Sequence, residues 1–369
     1  MSDADEANRR SLGSRIKGVL RGAVPREATL GLLSALDVVP GGSLLWGASG
    51  FGGEISAVLR GMLRHQADVV SGGGGAGRIK LRRCIHRLEK GLVMKPRRDV
   101  FGLDYIGLAV ELYEPVHSAA DDEAEPLRRW AGDVLEAYFA VAGPHPTIDR
   151  ARERFEATRT RPPGQPPAPF VGRDGGDKAA PFRRDLAPLQ VDYDGLLELA
   201  QRRRSVRWFD GRPVDRDLVD KALLVGGQAP SACNRQPFTF RFYDDPELVS
   251  ALARIPMGTA GIWHNFPSVC VLVGDLSAFA HQRDRHVIYI DASLATMGFQ
   301  LALETLGLSS CCLNWPDVPR LEKRIRSVIH LEDHERIVML MAIGYPDPDG
   351  GVPHSEKRPL SELRSWNQR

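Results

Sequence analysis

The stretch Ala229–Tyr243, APSACNRQPFTFRFY, joins a polar loop to a strand and is the most informative part of this 369-residue chain. Three phenylalanines alternate with polar residues over 237–243, which predicts a strand that is buried on one face. In the loop before it, Ser231, Asn234 and Gln236 are short polar groups that can read the amide-like edge of a flat heterocycle. An ordinary polar turn is the alternative interpretation.

Two continuously apolar runs, Ser268–Val273 and Ile337–Ile343, suit the central strands of a sheet. Helical spacing predicts a helix over Asp291–Leu306, and Asp215 is expected to cap an earlier helix that runs to about Gln228. The larger apolar residues of the 291–306 helix are expected to face inward: Leu294, Met297, Leu301 and Leu306. Its small residues would let another backbone approach closely: Ala292, Ala295, Gly298 and Ala302. This order predicts an α+β fold, a central mixed or antiparallel sheet flanked by helices.

The remaining chain divides by composition. We predict a helical N-terminal segment over 1–70, a helical domain over 78–160 and the α+β domain over 189–369. Residues 71–77, SGGGGAG, indicate a linker because glycine loses the most conformational entropy on ordering. Residues 161–188 hold seven of the 26 prolines, so they are predicted to form a Pro-rich linker.

Charge and cysteine content exclude several classes of protein. Lys and Arg number 49 against 47 Asp and Glu, a net charge of +2 that does not indicate a nucleic-acid binder. Five scattered cysteines without a CxxC pair argue against a disulfide scaffold or a zinc site and favour a reducing, cytoplasmic location. No export signal or membrane span is expected. Residues 9–21 are basic and amphipathic, and either a solvated helix face or peripheral membrane contact explains them.

Four arginines lie close together in Arg202–Arg207, RRRSVR, at the end of a helix that Asp194 is expected to cap and that runs through Arg203. The guanidinium fork matches the geometry of phosphate, which makes this segment a candidate anion site. Cations at a helix end also complement the helix dipole, which is the alternative. Lys357 and Arg358 offer a second pair of cations near the C-terminus.

A further cationic group lies in the predicted helical domain. Within and just before CIHRLEKGL, residues 84–92, Arg83, His86, Arg87 and Lys90 come close together. The group could bind an anion, and a solvated charged helix face is the alternative.

Taken in order, five motifs make residues 195–365 resemble the nitroreductase family of FMN-dependent oxidoreductases. The motifs are RRRSVR at 202–207, APSACNRQPF at 229–238, GLSSCCL at 307–313, GYP at 344–346 and KRPL at 357–360. Ala232 and Phe238 depart from the family, which often has serine and tryptophan there. The 190 residues before this region are absent from ordinary members. The CIHRLEKGL segment resembles nitroreductase-like proteins found near exopolysaccharide genes.

The resemblance implies roles for individual residues. Arg203, Arg204 and Ser205 would hold the phosphate, ribityl chain and pyrimidine edge of FMN, and Arg207 would lie near the flavin N1–O2 edge. The other implied FMN contacts are Pro230, Ser231 and Asn234 from the other subunit, the backbone of Leu313 or Asn314 at flavin N5, and Lys357 and Arg358 at the phosphate. A further polar contact to the flavin edge falls between Met257 and Asn265, and the resemblance does not assign it to one residue.

The resemblance also implies an intertwined homodimer and a ping-pong reaction in which hydride passes from NAD(P)H through FMN to a small acceptor, such as a nitroaromatic or quinone. The flavin would carry the chemistry, so no catalytic side chain or metal is expected. An FMN-dependent dehydrogenase or oxidase acting on a biosynthetic, glycan-related substrate is an alternative. A non-enzymatic flavin-binding protein is another.

Overall fold

The computed structural model describes residues 52–71, 74–120, 122–163 and 176–368. The amphipathic segment 9–21, with its predicted membrane contact, lies outside the described residues. The chain separates into two compact units, and the larger, Ser56–Pro316 with Arg320–Arg369, contains every contact described below.

Five helices form the first part of the described chain, as the spacing of apolar residues predicts. They are α1 (Gly52–Ser71), α2 (Gly74–Leu92), α3 (Ile106–Ser118), α4 (Glu125–Val141) and α5 (Pro146–Arg159). Helices α2 to α5 pack around one apolar core, in which Leu81, Ile85, Ile106, Leu135 and Tyr138 are completely buried. The predicted helical character is therefore confirmed for the described residues from Gly52 to Arg159, while the domain boundaries stay predictions.

The glycine-rich stretch 71–77 differs from the predicted linker. Helix α1 continues to Ser71 and helix α2 already begins at Gly74. The Asp68 Oδ2 atom accepts a hydrogen bond from the Ala76 N–H at 3.3 Å, and Ala76 is fully buried. A carboxylate that satisfies a free N–H at a helix start offsets part of the entropic cost of ordering glycine. The burial of Ala76 offsets a further part of that cost.

The second part of the chain alternates helices and strands. Its elements are α6 (Tyr193–Arg202), α7 (Arg216–Gly226), β1 (Phe238–Tyr243), α8 (Pro246–Ala253), β2 (Ser268–Asp275), α9 (Val287–Thr305), β3 (Ser309–Asn314), α10 (Pro319–Arg326), β4 (Glu335–Gly344) and α11 (Leu360–Leu363). The four strands form an antiparallel sheet in the order β1-β2-β4-β3. The two continuously apolar runs are the central strands β2 and β4, which confirms the predicted α+β fold.

The helix caps agree with the sequence in one case and differ in the other. Asp215 caps α7 by accepting from the Asp217 N–H at 2.9 Å, although α7 ends at Gly226. Helix α6 is capped by Asp192, whose Oδ1 accepts from the Gly195 N–H at 2.8 Å, and not by Asp194. Asp194 already lies in the first helical turn, where an acidic residue favours the helix dipole without capping.

Helix α9 differs from the prediction at two of the four residues expected to face inward. Leu294 and Met297 are 46% and 42% exposed, whereas Leu301 is half-buried and Leu306, just after the helix, packs against the core. The buried residues of the helix include the small residues Ala292, Ala295 and Ala302 together with Phe299 and Leu303. The small face packs against the chain's own helix α7, and a Cβ atom on Gly298 would lie 3.5 Å from the Gly226 Cα atom. The close backbone approach is confirmed, but the backbone is that of the same chain.

Substitution of Gly61 tests how α1 packs against the second part of the chain. A Cβ atom added at Gly61 would lie 2.7 Å from the carbonyl carbon of Leu276, which is backbone and cannot move aside. We expect Gly61→Ala to lower the free energy of unfolding by about 1–3 kcal/mol, as overpacking does. The measurement is the urea midpoint at unchanged slope.

Gly75→Ala is the matched control, because a Cβ atom there meets nothing within 4 Å. It should raise stability by less than about 1 kcal/mol, since the substitution only improves helix propensity near a helix start. Equal effects of the two substitutions would contradict the close contact between α1 and Leu276.

Candidate active site

The arginine-rich segment leaves helix α6 and runs beside the edge strand β3. Ser205 forms a parallel bridge with Ser310, and the Val206 N–H donates to the Ser310 carbonyl oxygen at 3.1 Å. A second bridge joins Phe209 to Pro346, after the end of β4. The segment is therefore held in an extended conformation along the sheet, and its side chains project from a rigid backbone.

Arg203 carries a buried polar atom without a partner. Its Nε atom is buried and makes no hydrogen bond. Glu304 lies nearby, and burial raises the pKa of that carboxyl while Arg202 and Arg203 act in the opposite direction. Buried donors in native proteins are almost always satisfied, so this nitrogen needs an acceptor, and a phosphate oxygen fits that need.

Arg204 ties the C-terminal segment to this motif. Its Nη2 atom donates to the Pro353 carbonyl oxygen at 2.6 Å and also to the His354 carbonyl oxygen. These carbonyls lie just before the two C-terminal cations, Lys357 and Arg358, whose side chains are exposed. The structure thus brings the segment that leads to both predicted phosphate-binding cations to the motif.

Arg207 is partly buried on the same segment. Its Nη1 atom donates to the Ser205 carbonyl oxygen at 3.2 Å. The guanidinium lies near Cys311 on β3, where burial raises the pKa of the thiol and the charge of Arg207 opposes that shift. On the same strand Leu313 is buried, whereas Asn314 is exposed.

The polar loop after α7 has a strained backbone. Cys233, Asn234 and Gln236 have φ values of 55°, 52° and 51°, in the left-handed region that non-glycine residues rarely occupy. The loop is fixed by the Asp291 Oδ2 atom, which accepts from the Ala232 N–H at 3.0 Å. Strain of this kind persists only where surrounding contacts determine it, and it concentrates at functional sites.

Hydrogen bonds inside the loop complete its fixed shape. The Ser231 Oγ atom accepts from the Gln236 N–H at 3.1 Å, and the Gln236 amide donates to the Asn234 Oδ1 atom at 2.9 Å. Within the described part of the chain, no hydrogen bond joins this loop to the Arg203–Arg207 segment. That Pro230, Ser231 and Asn234 serve a flavin in another subunit stays a prediction.

Two contacts around the site carry no clear signal in the sequence. The Asn265 Oδ1 atom accepts from the Phe209 N–H at 3.0 Å, so a polar side chain of the 257–265 stretch supports the backbone just after the motif. Helix α2 packs against the short 3-10 turn Ala232–Asn234, on the loop that is expected to reach the flavin. Only the tertiary fold reveals either contact.

A cleft of about 500 Å³ opens on the surface of the helical part, between α4 and α5. It is lined mainly by Phe139, Phe155, Arg152 and Arg159. None of its lining residues belongs to the arginine-rich segment or to the strained loop.

Among the residues that the structure describes, no group of His, Cys, Asp or Glu could hold a metal ion. None of the described helices has both the length and the apolar composition to cross a bilayer.

Comparison with known proteins relates the second part of the chain to a known family. The profile of the Nitroreductase family matches residues 200–260 and 252–345. The NADH dehydrogenase of Thermus thermophilus is 30% identical over 201 residues, which cover 45% of this chain and 93% of that protein. Human iodotyrosine deiodinase 1 is 25% identical over 199 residues, covering 46% of this chain and 67% of that protein.

Solved structures align over a similar share of the chain. An FMN-dependent nitroreductase from Clostridium difficile is 23% identical, with a TM-score of 0.40 over 47% of this chain and 99% of that one. A nitroreductase family protein from Streptococcus pneumoniae is also 23% identical, with a TM-score of 0.41 over 47% and 100%. Helices α1 to α5 lie outside the residues that the family profile matches. Through the half that contains the arginine-rich segment, the strained loop and the antiparallel sheet, the chain belongs to the nitroreductase family.

Proposed function

We propose that this protein is an FMN-dependent oxidoreductase that takes hydride from NAD(P)H and passes it to a small organic acceptor. The observation that carries the proposal is the buried Nε atom of Arg203, which lacks an acceptor in a segment that resembles the family's FMN motif. A phosphate at that position would satisfy the nitrogen. Membership of the nitroreductase family and the NADH dehydrogenase among its relatives support the same chemistry.

The residues fit FMN in chemical type. Arg203, Lys357 and Arg358 would hold the phosphate, and Ser205 would offer a hydroxyl to the ribityl chain or pyrimidine edge. FMN would supply reversible hydride chemistry at its ring when bound. Arg207, as a cation at the pyrimidine edge, would favour the reduced over the oxidised form.

Backbone rigidity is the second contribution of the chain to this site. The extended Arg203–Arg207 segment is bonded to β3, and a backbone N–H of Leu313 or Asn314 on that strand would meet flavin N5. A donor fixed on a strand needs no reorganisation during the reaction. The proposal places no nucleophilic side chain at the reacting atoms.

We propose further that the enzyme is a cytoplasmic homodimer with flavin sites completed by both chains. Helix α6 has no buried residue, although Leu196 and Leu197 lie on it. Leu294 and Met297 on α9 and Trp366 near the C-terminus are also exposed. Helices α6 and α9 contact each other, and large exposed apolar side chains on adjoining elements are typical of a surface that another protein covers.

The acceptor is a separate question from the cofactor. Two relatives are named for different reactions, NADH dehydrogenase and iodotyrosine deiodinase, so we propose only a small organic molecule as the acceptor. Oxidation of a biosynthetic substrate by the same flavin is the alternative direction.

The test begins with the protein as purified. Mass spectrometry of the heat-released ligand should find FMN, equimolar with the chain, and anaerobic NADH or NADPH should bleach the flavin. FAD, or failure to bind FMN on reconstitution, would contradict the cofactor assignment. Bound FMN that neither nucleotide reduces would favour the dehydrogenase direction or a non-enzymatic role.

A further inference from the structure

A group of cationic side chains lies beside the strained loop and is not part of the predicted FMN motif. Lys80, Arg83 and Arg87 follow one another along α2 at helical spacing, on one side of the helix. Arg235 comes from the loop, and His65 comes from α1. We call these five residues the α2 cation cluster. The packing of α2 against the Ala232–Asn234 turn brings the α2 cations to the loop of Arg235. His65 lies near enough to feel the charges of Lys80, Arg83 and Arg235.

The three cations that α2 contributes to the cluster, Lys80, Arg83 and Arg87, have no carboxylate partner in the described part of the chain. The Arg83 Nε atom is buried and makes no hydrogen bond. Neither Lys80 nor Arg83 has an ion pair there, and the Arg87 guanidinium lies 3.7 Å from the centre of the Tyr105 ring. A cation over an aromatic face keeps its full charge, so all three remain available to an anion.

Arg235 is a buried member of the cluster, with only 8% of its surface exposed. Its guanidinium lies 4.9 Å from the centre of the Phe279 ring, and its one hydrogen bond is a long contact of 3.4 Å to the Ala232 carbonyl oxygen. Burial is the main cause that lowers its pKa, and Arg83 acts in the same direction. The protein therefore leaves part of the donor capacity of this guanidinium unused.

His65 provides a second buried polar atom without a partner. The residue is 6% exposed, and its Nδ1 atom lies 2.7 Å from the Ser277 carbonyl oxygen, which requires the proton on Nδ1. The Nε2 atom is buried and unpaired. Burial is the main cause that lowers the pKa of His65, and the charges of Lys80, Arg235 and Arg83 add to it. A neutral Nε2 atom beside cations accepts a hydrogen bond, which the hydroxyl of hydrogen phosphate can donate.

Three acidic groups near the cluster already have other partners. Asp284 and Asp291 lie near Arg235, where Asp284 pairs with Arg283 at 3.9 Å and Asp291 accepts from the Ala232 N–H. Asp68, one turn after His65 on α1, pairs with Arg64 and accepts from the Ala76 N–H. Cys84 lies between the cations on α2, but burial raises the pKa of its thiol, so it adds no negative charge at neutral pH. The partly buried surface thus carries excess positive charge, which is costly unless an anion pairs with it.

We propose that the α2 cation cluster is an anion subsite that holds the phosphate or carboxylate group of the molecule that reacts at the flavin. The turn against which α2 packs belongs to the loop that is expected to contact the flavin, so the subsite adjoins the reaction site. Anion binding itself does not depend on the proposed function, whereas its link to the reacting molecule does. The substrate class is therefore anionic, either a phosphorylated nucleotide donor or an acidic acceptor.

The first experiment is calorimetric titration of inorganic phosphate into the FMN-saturated protein at constant ionic strength. We expect binding that Arg83→Gln and Lys80→Gln each weaken about tenfold or more, the effect of losing one charge-assisted hydrogen bond. Arg150→Gln is the matched control, because Arg150 is exposed on α5 and bonded only to the Pro146 carbonyl oxygen. It removes the same charge and should leave binding unchanged.

Arg203→Gln separates this site from the predicted flavin phosphate site. If phosphate binding is lost in Arg203→Gln and kept in Arg83→Gln, the anion sits at the flavin motif and the subsite proposal is overturned. Failure to bind FMN at all would contradict the proposed function, and the same phosphate titration of the flavin-free protein would then test the cluster. Far-ultraviolet circular dichroism confirms that each variant is folded.

The second experiment identifies which molecule uses the subsite. A KM for NADPH that rises about tenfold in Arg83→Gln, with the KM for NADH unchanged, assigns it to the nucleotide donor. A KM for 4-nitrobenzoate that rises relative to nitrobenzene assigns it to the acceptor. If neither pair responds, the anion site is separate from the reaction and the proposal is overturned.

Discussion

A chain that carries both Leu294→Glu and Met297→Glu is expected to be a monomer and to bind FMN at least about 100-fold more weakly than the wild type. Both side chains lie on the exposed face of α9. Carboxylates placed in an apolar interface lose their hydration without gaining a partner, at a cost of several kcal/mol. A monomer would also lack the loop of the second chain. The loss of about 2.8 kcal/mol of binding energy corresponds to 100-fold in affinity.

The matched control is the pair Val93→Glu and Met94→Glu, which adds the same charge to two exposed apolar residues after α2. Sedimentation velocity gives the oligomeric state, and quenching of flavin fluorescence gives the FMN dissociation constant. A monomeric wild-type protein with full flavin occupancy would overturn the dimer. A monomeric variant with wild-type FMN affinity would show that each chain binds the flavin by itself.

Arg207→Ala is expected to lower the flavin reduction potential more than it weakens FMN binding. A cation at the pyrimidine edge acts mainly on the negative charge that reduction introduces. A charge-assisted hydrogen bond contributes about 1.5–3 kcal/mol. Because about 30 mV corresponds to 1.4 kcal/mol for a two-electron couple, the potential should fall by roughly 30–60 mV. Spectroelectrochemical titration measures this shift.

Two further variants make the test specific. Arg207→Lys keeps the positive charge and should retain most of the potential. Arg203→Ala should instead raise the FMN dissociation constant, because Arg203 is expected to contact groups whose charge does not change on reduction. A wild-type potential in Arg207→Ala would show that this guanidinium does not lie beside the isoalloxazine ring.

Strands could be predicted from the sequence because their environment is uniform. The apolar runs at β2 and β4 are mostly buried. In the edge strand β1, Phe240 and Phe242 pack against Phe299, although Phe242 remains exposed, so the alternation predicts the strand but not the burial of each residue. Helix α9 shows where such patterns fail. It is apolar on two sides, one with small residues and one with large, and periodicity does not indicate which side the sheet covers. The close contact of α9 with Gly226 on helix α7 determines which side of α9 is buried, and that contact is tertiary.

The residues of the candidate site also divide into those that the sequence indicates and those that only the fold brings together. The arginine-rich segment and the loop could be found from local motifs, because their residue types are adjacent in the chain. Arg83 and Arg87 could be singled out as candidate anion ligands for the same reason. His65 and Arg235 could not, since they join the cluster only when distant segments pack. The bond from His65 to Ser277, for example, spans 212 positions.

The contact between helix α2 and the Ala232–Asn234 turn has a mechanical consequence. The loop is clamped between two supports, Asp291 on one side and α2 on the other. Displacing α2 therefore also displaces the turn, together with the three left-handed residues that give the loop its shape. A molecule that binds the N-terminal helices and shifts α2 would therefore change the conformation of the loop. It would do so without contacting the half of the chain that the family shares.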